Sequence, residues 1–161
     1  MDNPLITLIQ KFIRSRRRKL SPTRILPLRE VKKATVYLDS LDADADLARK
    51  SVTNFLQPYG TDIRFICPQK WDITWYGTLK KRRLRKGETP PDADDDLFIS
   101  LACPGNFAAE IEARESHAKF KVGRMPLSDN VFDFVVTDAP ETLPRQLEAW
   151  KALKELLLKI Q

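Results

Sequence analysis

The chain of 161 residues is poor in the residues that build several common chemical sites. It has five glycines, and neither G-x-G-x-x-G nor G-x-x-x-x-G-K-[ST] occurs, so no glycine-rich phosphate loop is predicted. It has a single histidine, His117, and two cysteines, Cys67 and Cys103, which form no C-x-x-C pair. These counts argue against a zinc site and against a disulfide framework. We therefore expect no metal and no cofactor.

Long apolar runs are also missing. No stretch of about 18 apolar residues occurs, so the sequence predicts no membrane-spanning helix. The first residues do not resemble a secretory signal, because Thr7, Gln10 and Lys11 interrupt the apolar residues and most charges follow them. Together with the sparse cysteines, this pattern predicts a protein of the reducing cytoplasm. The length is that of one ordinary domain, and it indicates no oligomeric state.

Positive charge is concentrated near the amino terminus. The net charge is +6, but residues 1–33 hold ten Lys or Arg against two Asp or Glu, which is +8. Residues 34–161 hold eighteen against twenty, which is −2. We divide the chain accordingly into a basic helix with its connector, 1–33, and a folded domain, 34–161. Such asymmetry favours an anionic partner, either nucleic acid or a membrane surface.

The basic segment begins with a predicted amphipathic helix. Asn3 and Pro4 are typical of an N-cap and a first helical position, and Ser21-Pro22 ends the helix. Its apolar residues recur at steps of three and four and form one stripe: Leu5, Leu8, Ile9, Phe12 and Ile13.

The remaining sequence predicts an α/β domain. Strands are predicted at 34–39, 63–67, 97–103, 118–122 and 131–136, with a further short candidate at 71–76. Helices are predicted from about Asp44, after Asn106 and from about Thr142. This alternation indicates a three-layer α/β/α sandwich with a mainly parallel sheet of about five strands. The connection between 118–122 and 131–136 is short and holds no helix, which predicts a C-terminal antiparallel hairpin.

Four segments of the sequence form a recognisable set: Trp75-Tyr76-Gly77, the predicted strand 96–101, the string Ala118-Lys119-Phe120-Lys121-Val122-Gly123, and the predicted strand 132–136. Together they resemble a family of small uncharacterised bacterial α/β proteins. The resemblance covers about residues 30–160 and implies a fold, with no activity and no catalytic residues to transfer. In the string, alternation directs Phe120 and Val122 toward the last helix and places Lys119 and Lys121 on a polar edge.

Two basic blocks, residues 11–19 and residues 80–86, are the basis of the main functional prediction. They predict a non-catalytic protein that contacts RNA or the ribosome. Trp71, Trp75 and Tyr76 precede the second block, and cations beside aromatic faces are typical of single-stranded RNA sites. The candidate contacts are Lys11, Arg14, Arg16, Arg17, Arg18, Lys19, Lys80, Lys81, Arg82, Arg83, Arg85 and Lys86.

Other interpretations of these blocks stay open. The first helix could lie on an anionic membrane surface or a partner protein. It could equally dock back on the domain with a solvated basic face. The tryptophans could belong to the core, with segment 80–86 a tether neutralised by the acids of 92–96.

A second candidate site lies at the ends of the predicted strands. Asp39, Cys67, Cys103 and Asn106 follow strands, and open α/β sheets bind ligands at the carboxyl ends of their strands. These residues define a candidate pocket and an alternative function as a small enzyme. Against an enzyme, His117 begins a strand and so lies at the opposite edge, and buried structural cysteines are common.

The acids after the first strand resemble the start of a calcium loop. Asp42, Asp44 and Asp46 have the right spacing, but Leu47 and Thr53 replace the Gly and Glu that such a loop needs. Since acids also favour the first turn of any helix, we interpret them as helix-start residues.

Overall fold

The computed structural model describes residues 3–15, 23–40, 42–81, 84–137 and 145–160. The strands within these ranges are β1 (Lys33–Tyr37), β2 (Asp62–Ile66), β3 (Leu97–Ser100), β4 (Phe120–Gly123) and β5 (Phe134–Val135). The α-helices are α1 (Pro4–Ser15), α2 (Ala45–Leu56), α3 (Phe107–Glu115) and α4 (Gln146–Leu158). The predicted start of the last helix near Thr142 lies outside the described residues.

The strands of the described chain form one sheet in the order β2-β1-β3-β4-β5, and every neighbouring pair is parallel. This arrangement confirms the predicted α/β class and the parallel character of the sheet. The chain moves outward from β1 to β2 and then crosses back to β3 on the other side of β1. The carboxyl ends of β1 and β3 therefore flank a switch point, where an open α/β sheet leaves a crevice.

The predicted antiparallel hairpin is wrong, because β4 and β5 pair in parallel with Val122 opposite Phe134. Their connection turns back through a short 3-10 segment in which Asp129 and Asn130 adopt positive φ. Asp133 then anchors the returning chain beside β4. The Lys121 amide donates to its carboxylate at 2.8 Å, and its own amide donates to the Lys121 carbonyl at 2.7 Å. The connection thus re-enters the sheet from the edge where β4 began.

Segment 71–76 does not join the sheet. Residues Lys70–Asp72 form a 3-10 turn, and Ile73 makes an isolated antiparallel bridge with Leu79. Between them Thr74 and Thr78 close a tight turn in which Gly77 has a φ of 98°. A positive φ suits glycine because a Cβ is strained there. The aromatic pair Trp75-Tyr76 consequently sits at the tip of a turn.

The two faces of the sheet are covered by different helices. One face, with α2 and α4, forms an apolar core to which the connector also contributes Leu26, Leu28 and Val31. The other face packs under α3 and is built from small and aromatic residues: Tyr37, Phe98, Ala102, Ala108, Ala109, Ala113 and Val131. The domain thus has helices on both sides of a central sheet.

The string 118–123 is embedded in this fold. Phe120 and Val122 belong to the same apolar core as Trp150 of α4, as the alternation predicts. Lys121 does not form a polar edge: it is buried, and its Nζ donates to the carbonyl of Ala113 at 2.6 Å. Lys119 pairs with Asp96 at 2.7 Å. Both lysines therefore make interactions within the domain.

Candidate functional site: an apolar helix face and a cavity at the sheet edge

Helix α1 lies against α3 and the turn that carries Trp75. The Gln10 side-chain amide donates to the Tyr76 carbonyl at 3.0 Å. Arg14 donates two hydrogen bonds to Glu110 of α3, at 2.7 and 3.0 Å, and its guanidinium lies 4.8 Å from the ring centroid of Phe107. A bidentate Arg–carboxylate pair fixes orientation as well as distance. The contacts hold α1 in a defined position on the domain.

Glu110 joins α1 to the body electrostatically. Burial alone would raise the pKa of Glu110, but hydrogen bonds from Arg14 and Arg114 bring that pKa below its ordinary value. The carboxylate is therefore charged at neutral pH. Of the predicted nucleic-acid contacts in α1, Arg14 is thus engaged in an intramolecular ion pair, whereas Lys11 is exposed.

Docking divides the predicted apolar stripe of α1 in two. Ile9 and Ile13 are half-buried, on the side that also carries Gln10. Leu5, Leu8 and Phe12 remain 55%, 64% and 57% exposed. These three residues are spaced at i, i+3 and i+7, so they form one row along the helix. We call Leu5, Leu8 and Phe12 the apolar row.

The second basic block begins with another ion pair to α3. Lys81 lies 2.5 Å from a carboxylate oxygen of Glu112 and 3.4 Å from one of Glu115. Burial raises the pKa of Glu112, and the Lys81 ammonium opposes that rise. Lys81 therefore neutralises a buried acid, while Lys80, Arg85 and Lys86 are exposed.

The remaining predicted cations, Arg16, Arg17, Arg18, Lys19, Arg82 and Arg83, lie outside the described residues. The ion pairs of Arg14 and Lys81 nevertheless bring the two basic segments onto one helix, α3. This convergence joins positions that are 67 residues apart in the sequence, a long-range contact that no local pattern indicates.

Two tryptophans are exposed to solvent, although the sequence would also have allowed them to lie in the core. Trp71 is 73% exposed and Trp75 is 65% exposed. Trp75 packs edge-on against Tyr76, with the ring centroids 5.3 Å apart. Exposed aromatic side chains next to a basic segment are available for stacking or for contact with an apolar surface.

The carboxyl edge of the sheet carries a cavity of about 570 Å³, which lies in the size range of small-molecule sites. Of the predicted pocket residues, Asp39 and Asn106 line it. A smaller cavity of about 190 Å³ is lined by Cys103 and Asn106. Cys67 lines neither of them, because its side chain packs against the α2–α4 core on the other face of the sheet.

Asn106 lines both cavities, and it also caps the amino terminus of α3. Its side-chain oxygen accepts a hydrogen bond from the Ala109 amide at 3.1 Å. On the side of the smaller cavity, Arg124 donates to the Leu101 carbonyl at 3.1 Å and lies 3.4 Å from the Cys103 sulfur. His117 lies at the opposite edge of the sheet, where its ring contacts Asp92 at 3.2 Å.

Sequence reasoning missed Tyr37 in the larger cavity. It is 1% exposed, and its hydroxyl makes no hydrogen bond with any described residue. Burial, followed by the charge of Glu112, raises the pKa of Tyr37; the Asn106 side chain lies near enough to oppose the rise. The β1 alternation could have placed Tyr37 opposite Val36 and Leu38, but it could not indicate an unsatisfied hydroxyl.

Among the acids after β1, Asp44 serves the structure. The Asp44 carboxylate accepts from the Leu147 amide at 3.0 Å and from Gln146 at 3.4 Å, which ties α2 to the start of α4. Burial alone would raise the pKa of Asp44, but these hydrogen bonds lower it. Across the described ranges, no group of three or more His, Cys, Asp or Glu side chains is arranged to hold a metal ion.

No family model and no curated protein matches the chain. Among solved structures, RecJ from Thermus thermophilus, crystallised with Mn2+, is similar at 16% identity and a TM-score of 0.49. The similarity covers 98% of this chain and 21% of RecJ, so the chain spans about a fifth of that protein's length.

None of the helices in the described part of the chain is both long and apolar enough to cross a bilayer.

Proposed function

We propose that the protein docks on the surface of an anionic membrane through α1, without crossing it. The observation that carries the proposal is the apolar row, which stays exposed although the opposite side of α1 is held on the domain. Burying a Leu or Phe side chain is worth about 1.5–3 kcal/mol. Three such residues in one row give the helix a reason to enter the boundary between headgroups and acyl chains.

Charge supports an anionic surface in particular. The segment that contains α1 carries +8, and Lys11, which is exposed, is three residues from Leu8 in the apolar row. Basic residues beside a membrane contribute about 1 kcal/mol each toward anionic lipid. An apolar row with neighbouring cations is the pattern expected of a helix that lies in the interface plane. We assign the docking to the cytoplasmic leaflet, consistent with the free thiols of Cys67 and Cys103.

A second candidate function is binding of single-stranded RNA, which the exposure of Trp71 and Trp75 favours. Both lie between Lys70 and Lys80, which are also exposed, and bases stack on aromatic faces with little sequence preference. RNA offers no apolar partner for Leu5 and Leu8, however, and Arg14 and Lys81 are engaged with α3. For this reason we place RNA second.

Vesicle co-sedimentation of the full chain tests the first proposal. We expect binding to vesicles of phosphatidylcholine with phosphatidylserine, weaker binding to phosphatidylcholine alone, and a loss of binding as salt is raised. Leu8→Ser should weaken binding by about tenfold, because it removes one apolar group from the interface. Leu158→Ser, at another exposed leucine on α4, should leave binding unchanged.

The same proteins are then titrated with a labelled single-stranded oligouridine. Binding to RNA that is weakened by Trp75→Ala, with no binding to vesicles, would overturn membrane docking and support the second candidate. Equal vesicle binding by the wild type and Leu8→Ser would also overturn docking through the apolar row.

A further inference from the structure

The larger cavity lies at the switch point of the sheet, and no part of the docking surface explains it. Its walls come from the end of β1, the segment after β2, and the start of α3. Its volume of about 570 Å³ is sufficient for a small organic molecule. The side chains that matter for recognition are Tyr37, Asp39, Lys70, Trp75 and Asn106.

Hydrogen bonds hold these walls in place. Buried Gln146 accepts from the Asp39 amide at 2.7 Å and donates to its carbonyl at 3.3 Å. Ser40 donates to the Pro68 carbonyl, which links the ends of β1 and β2. The turn that displays Trp75 is closed by two backbone bonds, of 2.8 and 3.0 Å. A preformed cavity does not have to be ordered when a ligand binds, which favours affinity.

The floor of the cavity offers an unsatisfied polar group. A hydroxyl buried without a hydrogen bond costs stability, so a partner is expected. The Tyr37 hydroxyl has none among the described residues, and the nearby Asn106 side chain does not meet hydrogen-bond geometry with it. Asn106 also places the first turn of α3 at the cavity wall, where Ala108 contributes to the lining. The early backbone amides of a helix favour an anionic group.

The other side chains that line the cavity indicate which further groups the ligand carries besides the anionic one. The indole of Trp75 offers a face for a planar ring, and Lys70 adds a cation. The Asp39 carboxylate would repel a small free anion but can accept hydrogen bonds from hydroxyl groups. A ligand that combines a planar ring, neighbouring hydroxyls and a phosphate satisfies all of these groups together.

We propose that this cavity binds a mononucleotide. The base stacks on Trp75, the ribose hydroxyls donate to Asp39, and the phosphate lies toward Lys70 and the amino terminus of α3. Tyr37 and Asn106 supply polar contacts at the floor. The proposal concerns binding alone and includes no chemical step.

Isothermal titration calorimetry of the full chain with AMP, GMP, CMP and UMP, in the absence of vesicles, tests the proposal. We expect at least one nucleotide to bind with a Kd of about 1 mM or below. Trp75→Ala should weaken the binding of that nucleotide by about tenfold, because stacking of a base on an aromatic ring is lost. The matched control is Trp71→Ala, since the Trp71 side chain is also largely exposed but does not line the cavity.

Adenosine and inorganic phosphate serve as partial probes, and each is expected to bind more weakly than the nucleotide. Asp39→Asn should weaken the binding of the ribonucleotide more than the binding of its 2′-deoxy form, because the 2′-hydroxyl is one of the groups proposed to donate to Asp39. Inorganic phosphate binding as tightly as the nucleotide would overturn the proposal, as would an equal effect of Trp71→Ala and Trp75→Ala. Failure of all four nucleotides to bind at about 5 mM would also overturn it. Failure here leaves vesicle binding through α1 unaffected, because Leu8 does not line the cavity.

Discussion

The two faces of the sheet differ in chemistry although they share the same strands. Toward α2 and α4, β1 presents Ala34 and Val36, and β3 presents Leu97 and Ile99. Toward α3 the same strands present Thr35 and Tyr37, and Phe98 and Ser100, while β4 adds the buried Lys121. One face of the sheet is predominantly apolar, whereas the other combines small residues with buried polar and charged groups.

This difference indicates how much each side of the domain contributes to stability. Apolar burial stabilises without needing specific partners, whereas buried charges stabilise little after desolvation and must be paired to be tolerated. On the α3 side, Glu110, Glu112 and Arg114 are all paired, and through these pairs α3 holds α1 and the second basic segment. Both proposed binding sites lie on this side.

The largest loss of stability is expected from a substitution that creates a cavity in the apolar core between the sheet and helices α2 and α4. Trp150 is fully buried, packs edge-on against Phe55 and donates to Ser51 at 2.9 Å. Trp150→Ala should lower the free energy of unfolding by about 3–5 kcal/mol, measured by urea denaturation. The exposed Leu158 is the control, for which Leu158→Ala should change stability by less than about 0.5 kcal/mol. Similar losses from the two variants would contradict the assignment of this core.

A smaller and pH-dependent effect is expected on the α3 face. Lys81→Ala leaves buried Glu112 without its cation and should cost about 1–3 kcal/mol at neutral pH. The pKa of Glu112 is already raised in the folded state, so its ionised form opposes folding above that pKa. The penalty should therefore shrink as the pH falls through the folded pKa and Glu112 becomes protonated.

Urea denaturation at neutral pH and at about pH 4 measures this difference. The neighbouring exposed residue gives a matched control, since Lys80→Ala should change stability at neither pH. A penalty for Lys81→Ala that is the same at both pH values would show that Glu112 is not the group responsible.

A still smaller loss of stability is expected when the ion pair that attaches α1 to α3 is removed. Arg14→Ala should change global stability by only about 0–1 kcal/mol, because the pair is partly exposed, but it should increase hydrogen exchange within α1. The pKa of Glu110 lies below its ordinary 4.5, so the pair contributes above that value and its contribution is lost as the pH falls through the folded pKa.

Arg14→Lys distinguishes charge from geometry in this attachment. It retains the cation but not the two-pronged fork, so exchange protection should be only partly restored. Full protection in Arg14→Ala would mean that Gln10 and the half-buried isoleucines hold α1 without the ion pair.

The smallest effect on stability is expected from the apolar row. Leu8→Ser should change the free energy of unfolding by less than about 0.5 kcal/mol, because Leu8 belongs to neither core. The same variant should weaken vesicle binding by about tenfold, so a surface that contributes little to folding would be shown to act in docking. A large loss of stability would instead place Leu8 within a packed interface.

Local patterns predicted most of the regular structure. The run 97–103 and the periodic last helix were recognisable because the apolar residues of an element repeat with its own geometry. The turn at Trp75 was misinterpreted as a strand because two tryptophans, Ile73 and Tyr76 have the composition of a strand. Composition could not show that Gly77 and the Thr74–Thr78 bonds would close a turn there.

The candidate sites were predicted less completely. Asp39 and Asn106 were placed at one cavity edge by the rule for strand ends, and Cys67 failed to join them because side chains alternate between faces. Arg14 and Lys81 had the same composition signal as the exposed cations around them. Only the acids of α3, close in space and distant in sequence, distinguish these two.

The sequence by itself determined which sides of the helices and strands are apolar, where most elements begin and end, and that the basic charge lies near the amino terminus. These properties follow from side-chain type and backbone periodicity within a few residues. The tertiary structure alone decided that β5 runs parallel to β4, that α1 half-buries Ile9 and Ile13 but exposes its apolar row, and that Tyr37 lies beneath a cavity. Each of these features depends on which distant segment covers a given face. An apolar side chain does not specify which other apolar side chain will pack against it.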